Sequence, residues 1–223
     1  MTMTTFLLLR HAHSTANNEG VLAGQLEGIG LSKDGLAQVR KLTYSFENLK
    51  INRIISSPMQ RCLETVEGIA RLQKKRVLID ARLIEMNYGL WSGEKLKKLS
   101  KLREWKVIQA KPSTFRFPQG ESFKELEKRI ESLLIDLSRK YPKETILLIT
   151  HGDVIKIAAS LTVGSGLNNF QKFAVDPCSL TTLSWGSKSR ILLTFNQKIV
   201  DIKSNKKKRR RAGSTLGGST DVA

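Results

Sequence analysis

The sequence predicts an α/β fold, a three-layer α/β/α sandwich on a mainly parallel central sheet. Two observations carry this. Apolar runs of strand length alternate with segments of helical period, as parallel strands joined by helical crossovers do. The last two runs, Ser179–Trp185 and Arg190–Phe195, instead flank Gly186-Ser187-Lys188-Ser189 and read as a hairpin.

Thr4–Leu9 is an apolar run closed by Arg10 and His11, as a buried strand would be. Asn17 to Gly30 is polar and glycine-rich, fits neither period and reads as a loop. Ser32–Leu49 is a helix with Leu36, Val39, Thr43 and Phe46 on one face. Ile51–Ile55 is a second strand, ended by Ser56-Ser57-Pro58; Pro58 suits the first turn of a helix running to about Leu72. Arg76–Ile79 is a third strand. Gly89–Phe117 mixes Trp91, Gly93 and Trp105 and reads as an irregular excursion with one short helix around Glu94–Leu102. Ser122 and Glu125 make a capping-box pair. Leu126, Ile130, Leu133, Leu134 and Leu137 then give the following helix one buried face, and Tyr141-Pro142 ends it. Thr145–Thr150 is the strongest strand, and Asp153–Val163 a helix that Asp153 caps. No internal repeat is visible.

At 223 residues, with 40% hydrophobic and 26% charged residues, the chain can bury a core without disulfides. Apolar runs such as Ile146–Ile149 are too short to span a bilayer, and Arg10 interrupts the first run before it resembles a secretory signal. Cys62 and Cys178 form no metal spacing or disulfide framework, and a reducing cytoplasm suits them. Lys and Arg outnumber Asp and Glu 38 to 20, a net +18. Lys203–Ala223 has seven basic residues and one acid, so +12 remains on the body. Such a field favours anionic partners. We expect one folded domain over 1–202 and a basic, disordered tail over 203–223, without membrane insertion.

Phosphate motifs that can be excluded are the P-loop, the dinucleotide fingerprint (Gly28-Ile29-Gly30 lacks its third glycine) and the cysteine-phosphatase loop. All three histidines lie just beyond apolar strands. His11 follows Arg10, and His151 follows Ile149-Thr150. In an open parallel sheet both histidines reach the edge where ligands bind. A neutral imidazole can attack phosphorus, and arginine forks pair with phosphoryl oxygens.

The run Leu8-Leu9-Arg10-His11-Ala12-His13-Ser14-Thr15-Ala16-Asn17 resembles the signature of the histidine phosphatase superfamily, the phosphoglycerate mutase-like fold. Gly24, Leu31-Ser32, Gly35 and Gln38 resemble its loop and first helix. Ser56-Ser57-Pro58-Met59-Gln60-Arg61-Cys62-Leu63-Glu64-Thr65 resembles its second arginine motif, Leu83–Gly93 its acid motif, and Leu148–Gly152 its second histidine. The matches keep the family's order across residues 4–195.

The resemblance implies that His11 takes the phosphoryl group and Glu85 protonates the leaving oxygen, then helps water attack. Arg10, Arg61 and His151 would surround the phosphoryl oxygens, with Asn17 and Ser14 as further contacts. No cofactor and no metal is implied. Ala12 stands where the family usually has glycine, keeping the carbonyl that can orient His11; His13 stands where Glu or Gln is common and is expected at the pocket rim.

Two other classes were weighed. His11, His13, His151 and Asp153 are a potential metal set, which Arg10 disfavours. Lys206–Arg211 suggests a nucleic-acid binder, but without aromatic residues it offers only weak, nonspecific attraction to polyanions. Within the family, the 66 positions from Glu85 to His151 resemble the compact phosphatase branch rather than the mutases with longer insertions. The expected function is hydrolysis of a small phosphomonoester (a sugar phosphate, phosphoglycerate-type or related metabolite), with a phosphomutase as the alternative. The segment Trp91–Phe117 is expected to cover the pocket and choose the substrate. The oligomeric state is open, a dimer being compatible with the sequence.

Overall fold

A computed structural model describes residues 2–198; the expected tail and its boundary after residue 202 lie outside the described residues. The strands are β1 (Thr4–Arg10), β2 (Arg53–Ser56), β3 (Val77–Ile79), β4 (Thr145–Thr150), β5 (Ser179–Trp185) and β6 (Arg190–Lys198). They form one sheet in the order β3-β2-β4-β1-β5-β6. The pairings β3 to β2, β2 to β4 and β4 to β1 are parallel. The terminal β5–β6 hairpin joins antiparallel at the edge of β1.

The continuous apolarity of β1 and β4 follows from their central place. Side chains alternate between faces, so a strand covered on both sides must be apolar at every position. Phe6, Leu8, Ile146 and Leu148 enter one core cluster, whereas Leu7, Leu9, Leu147 and Ile149 enter another. The helices α2 (Lys33–Ser45) and α3 (Gln60–Gln73) cover the second face through Leu42, Cys62, Val66 and Ile69. On the first face lie α6 (Phe123–Lys140) and α7 (Gly152–Val163), through Leu126, Ile130, Leu133, Val154 and Ile155. The sandwich is therefore three-layered and mainly parallel, as the alternation predicts.

Several local expectations are corrected. Part of the expected loop is a short helix, α1 (Thr15–Glu19). The Ser14 and Asn17 side chains close a capping box there, a local device too short to produce a period. Leu36 is 46% exposed, and the buried face of α2 runs through Gly35 and Leu42 to Phe46. Glycine is what fits: a Cβ at Gly35 would lie 2.0 Å from the His13 carbonyl oxygen. Counting apolar residues alone misses that contact. Pro58 precedes α3 rather than entering its first turn, since Met59 is the N-cap residue. The excursion holds two helices, α4 (Leu96–Leu99) and α5 (Arg103–Ala110), because Leu102 is extended between them. His151, not Asp153, is the N-cap residue of α7.

The close approach at Gly35 fixes α2 against the loop that follows β1. Gly35→Ala should destabilise the chain by about 1–3 kcal/mol, the usual cost of overpacking. Urea unfolding midpoints of the two proteins check this; equal midpoints would show that the contact relaxes freely.

Candidate active site

Three parallel strand ends converge. Beyond β1, the His11 amide donates to the Thr150 carbonyl at 3.0 Å, so Arg10 and His11 leave the sheet beside the end of β4 and His151. Beyond β2, the Ser57 amide donates to Ile149 at 2.9 Å, and α3 then brings in Arg61 on its first turn. Thr65 ties the two segments together, accepting from the Ala12 amide (3.0 Å) and donating to the Arg61 carbonyl (2.6 Å).

Glu85 comes from the crossing after β3 and is clamped on both sides. Arg129 of α6 donates to the carbonyls of Arg82 (2.6 Å) and Ile84 (2.9 Å). Its partner Glu121, 2.9 Å away, accepts from the Asn87 amide at 3.3 Å. The Gln25 side chain donates to the Glu85 carbonyl at 2.7 Å.

Arg10, His11, Ser14, Asn17, Arg61 and Glu85 all line one cavity of about 390 Å³. His151 is fully buried behind this wall, its ring centroid 5.2 Å from that of His11. His151 Nδ1 lies 3.2 Å from Arg61 Nη2, and its Nε2 lies 2.8 Å from Ser57 Oγ. Arg61 Nη2 also donates to the Gly24 carbonyl at 2.7 Å, and Arg10 Nη1 donates to the Val175 carbonyl. Arg10 Nε and Arg61 Nη1 are buried N–H donors with no protein partner. Two unsatisfied guanidinium donors beside one cavity are what an anion would complete.

The nucleophile candidate is prepared by its neighbour. His11 Nδ1 lies 2.7 Å from the Ala12 carbonyl, which can only accept, so the proton sits on Nδ1 and Nε2 keeps its lone pair. Ala12 does this without a positive φ. Burial, then Arg61 and Arg10, hold the His11 pKa well below the usual 6.5; burial and Arg61 do the same to His151. Burial and the Asp153 carboxylate push Glu85 up to about 7, against the Met86 amide and the two arginines. Burial raises Cys62 and Cys178 to about 12, leaving both thiols protonated and unreactive.

Ser14 Oγ and Asn17 Oδ1 are occupied by their own capping box (2.9 Å apart), which leaves the Asn17 amide NH₂ as the donor for a ligand. His13 is absent from the cavity wall; its carbonyl instead accepts from the Ser32 amide and hydroxyl. Among the described residues no three His, Cys, Asp or Glu side chains converge as metal ligands would. Asp153, expected to be a cap, lines the cavity and accepts from the Tyr88 hydroxyl at 2.8 Å. Lys156, 3.5 Å from Asp153, was not anticipated. Its position one helical turn past the strand end is the signal that was available. Arg129 has no such local signal, because its partners are distant in sequence.

The match to the histidine phosphatase superfamily (branch 1) extends over residues 6–198. The chain belongs to this family. Among its relatives, phosphoserine phosphatase 1 of Hydrogenobacter thermophilus is 25% identical over 199 residues, covering 87% of this chain and 92% of that one. A probable phosphoglycerate mutase GpmB of Erwinia tasmaniensis is 29% identical, covering 80% and 84%. A phosphoserine phosphatase of Entamoeba histolytica, solved with phosphoserine, superposes with a TM-score of 0.79 at 24% identity, covering 87% and 98%. No helix among the described residues is long and apolar enough to cross a membrane.

The raised Glu85 gives this histidine phosphatase a pH signature. The folded chain holds the Glu85 proton up to about 7, while the unfolded chain releases it near 4.5. Its stabilising contribution is therefore full below pH 4.5 and lost as pH rises through 7. The depressed histidines act oppositely, their contribution being lost as pH falls below 6.5. Glu85→Gln should gain stability relative to the parent chain from pH 4.5 to 7, then level off. Urea midpoints across that range test this; a pH-independent difference contradicts it.

Proposed function

We propose that this histidine phosphatase hydrolyses a small phosphomonoester through a phosphohistidine at His11 Nε2. The observation that carries the reading is the neutral His11, its Nδ1 proton committed to Ala12, beside buried guanidinium donors that lack partners. In the first step the Nε2 lone pair attacks phosphorus and the bond to the leaving oxygen breaks. Glu85, whose raised pKa of about 7 keeps a substantial protonated fraction at neutrality, gives that oxygen its proton. In the second step the Glu85 carboxylate takes a proton from water, and the water oxygen displaces Nε2 from phosphorus. Arg10 and Arg61 hold the phosphoryl oxygens, with His151 behind Arg61 and with Asn17 and Ser14 at the edge. Charge stabilisation and positioning, rather than further covalent chemistry, lower the barrier.

A phosphomutase is the second reading, favoured by relatives that carry that name. A mutase passing through a bisphosphate has to hold a second phosphoryl group. Beyond Arg10 and Arg61 the described residues of the cavity offer one more cation, Lys156, already beside Asp153. That favours the phosphatase. The partner is a small phosphorylated metabolite, and the two free cysteines fit a cytoplasmic setting. The chemistry is assigned to residues 1–202 and only weak polyanion binding to 203–223.

Acid-labile, alkali-stable phosphate should label the protein during turnover and be lost in His11→Ala; an active, unlabelled parent enzyme would exclude the intermediate. Glu85→Gln should slow phosphoenzyme formation roughly 10²–10⁴-fold on alkyl phosphates and much less on nitrophenyl phosphate, whose leaving group needs no proton. Pre-steady-state bursts measure this, and equal losses on both substrates would remove Glu85 from the donor role. A chain ending at Ile202 should keep its turnover number and bind polyanions with a shallower salt dependence. Loss of turnover on truncation would move the domain boundary.

A further inference from the structure

A second cavity of about 280 Å³ adjoins the phosphoryl site. Leu22, Tyr88, Leu96, Asp153 and Lys156 belong to the walls of both. Beyond that shared rim the walls are Trp91, Trp105, Ile108, Phe117 and Phe123, with the uncharged amides of Gln109 and Gln171 as their polar members. These five apolar residues come from the excursion and, for Phe123, from the start of α6, and four of them, Trp91, Ile108, Phe117 and Phe123, are buried in already packed positions. Phe117 meets Trp91 edge to face at 5.4 Å and Tyr88 at 5.0 Å. The annex is thus preformed and rigid on those sides, and Trp105 of α5 is its half-buried outer wall.

Charge decides what the annex can hold. A bound phosphoryl dianion is matched by Arg10 and Arg61. Among the described residues Lys156 is the only other lysine or arginine on either wall, and it lies 3.5 Å from Asp153. A second negative charge on the substrate would face Asp153 with no unpaired cation, among aromatic walls where an unpaired charge is costly to bury. An uncharged body meets no such penalty, and a planar one packs well against Trp and Phe faces and edges.

We infer that the substrate's leaving group is an alcohol with no ionised group, whose planar or apolar body occupies this annex. The inference rests on the phosphatase reading above and names its substrate class: phosphate esters of aromatic or other apolar alcohols rather than of short hydroxy acids. The excursion acts as the specificity element, with Trp105 and Ile108 of α5 in contact with the leaving group.

Initial rates on methyl phosphate, benzyl phosphate, phosphoserine and 3-phosphoglycerate test this, because methanol and benzyl alcohol differ little in acidity and their comparison reads binding of the ring. For the parent enzyme kcat/KM should be at least about tenfold higher for benzyl than for methyl phosphate, within the range that pocket contacts of this size give. Phosphoserine and 3-phosphoglycerate should both fall below benzyl phosphate. In Trp105→Ala the benzyl-to-methyl ratio should collapse about tenfold, and Trp105→Phe should restore part of it. A parent ratio near one, or a tenfold preference for 3-phosphoglycerate or phosphoserine, overturns the inference while leaving the phosphatase chemistry standing. That result needs no variant to fold. Absence of phosphate release from every ester, together with an unlabelled His11, instead removes the phosphatase reading and the inference with it.

Discussion

Six consecutive Cα pairings join β1 to β4, the last placing Arg10 opposite Thr150, and the meeting of Arg10, His11 and His151 follows from that register. A one-residue slip would turn His151 to the face opposite His11 and shift it away from both Arg10 and His11. Apolarity cannot prevent such a slip here, because both strands are apolar on both faces. The ends do it. The Thr5 amide donates to Glu144 at 2.9 Å and the Thr4 hydroxyl to the Tyr141 carbonyl at 2.9 Å, while His11 closes the other end on Thr150. Arg53 pairs with Glu144 at 2.7 Å and fixes β2 to the same end of β4.

The strand ends bring together groups that destabilise one another. Two histidines, two arginines and a carboxyl sit close to or below the surface, with guanidinium donors left unpaired. Burial resolves this by neutralising what it can: His11 and His151 remain unprotonated, and Glu85 keeps its proton to near neutrality. Burial lowers the Arg61 pKa, but an arginine starts too high for that to discharge it. A site with fixed positive charge, two neutral imidazoles and a carboxyl that retains its proton is the result. Each property comes from the same low-dielectric setting rather than from separate devices.

Support for that setting comes mostly from outside the strand ends. Arg129 and Glu121 hold the acid segment from α6, and Thr65 joins the β1 loop to α3. Asp153 does two things from one position: it raises Glu85 and it keeps Lys156 at the junction of the two cavities. The excursion contributes aromatic wall rather than charge to the second cavity, whereas Arg10 and Arg61 line the first.

Much of this was legible in the sequence because it is local. Strand runs, the Ser122 cap and the four motifs each occupy a few neighbouring residues, and their order along the chain implies the parallel sheet and its ligand-binding edge. Arg10, His11, Arg61, Glu85 and His151 were readable for that reason, as was the Ala12 carbonyl that orients His11. Other features depend on distance rather than neighbourhood. The buried face of α2 is chosen by a glycine against the His13 carbonyl, and Asp153 faces the cavity because Tyr88 meets it from 65 residues away. His151 was placed at the site by its position after β4, yet only packing seats it behind Arg61 and out of the cavity wall. The sequence by itself determined the mainly parallel sheet and the edge at which Arg10, His11 and His151 meet, since those follow from periodicity and adjacency. The tertiary structure alone decided protonation states, partners and the shape of the annex, since these depend on which distant segments exclude water from each group.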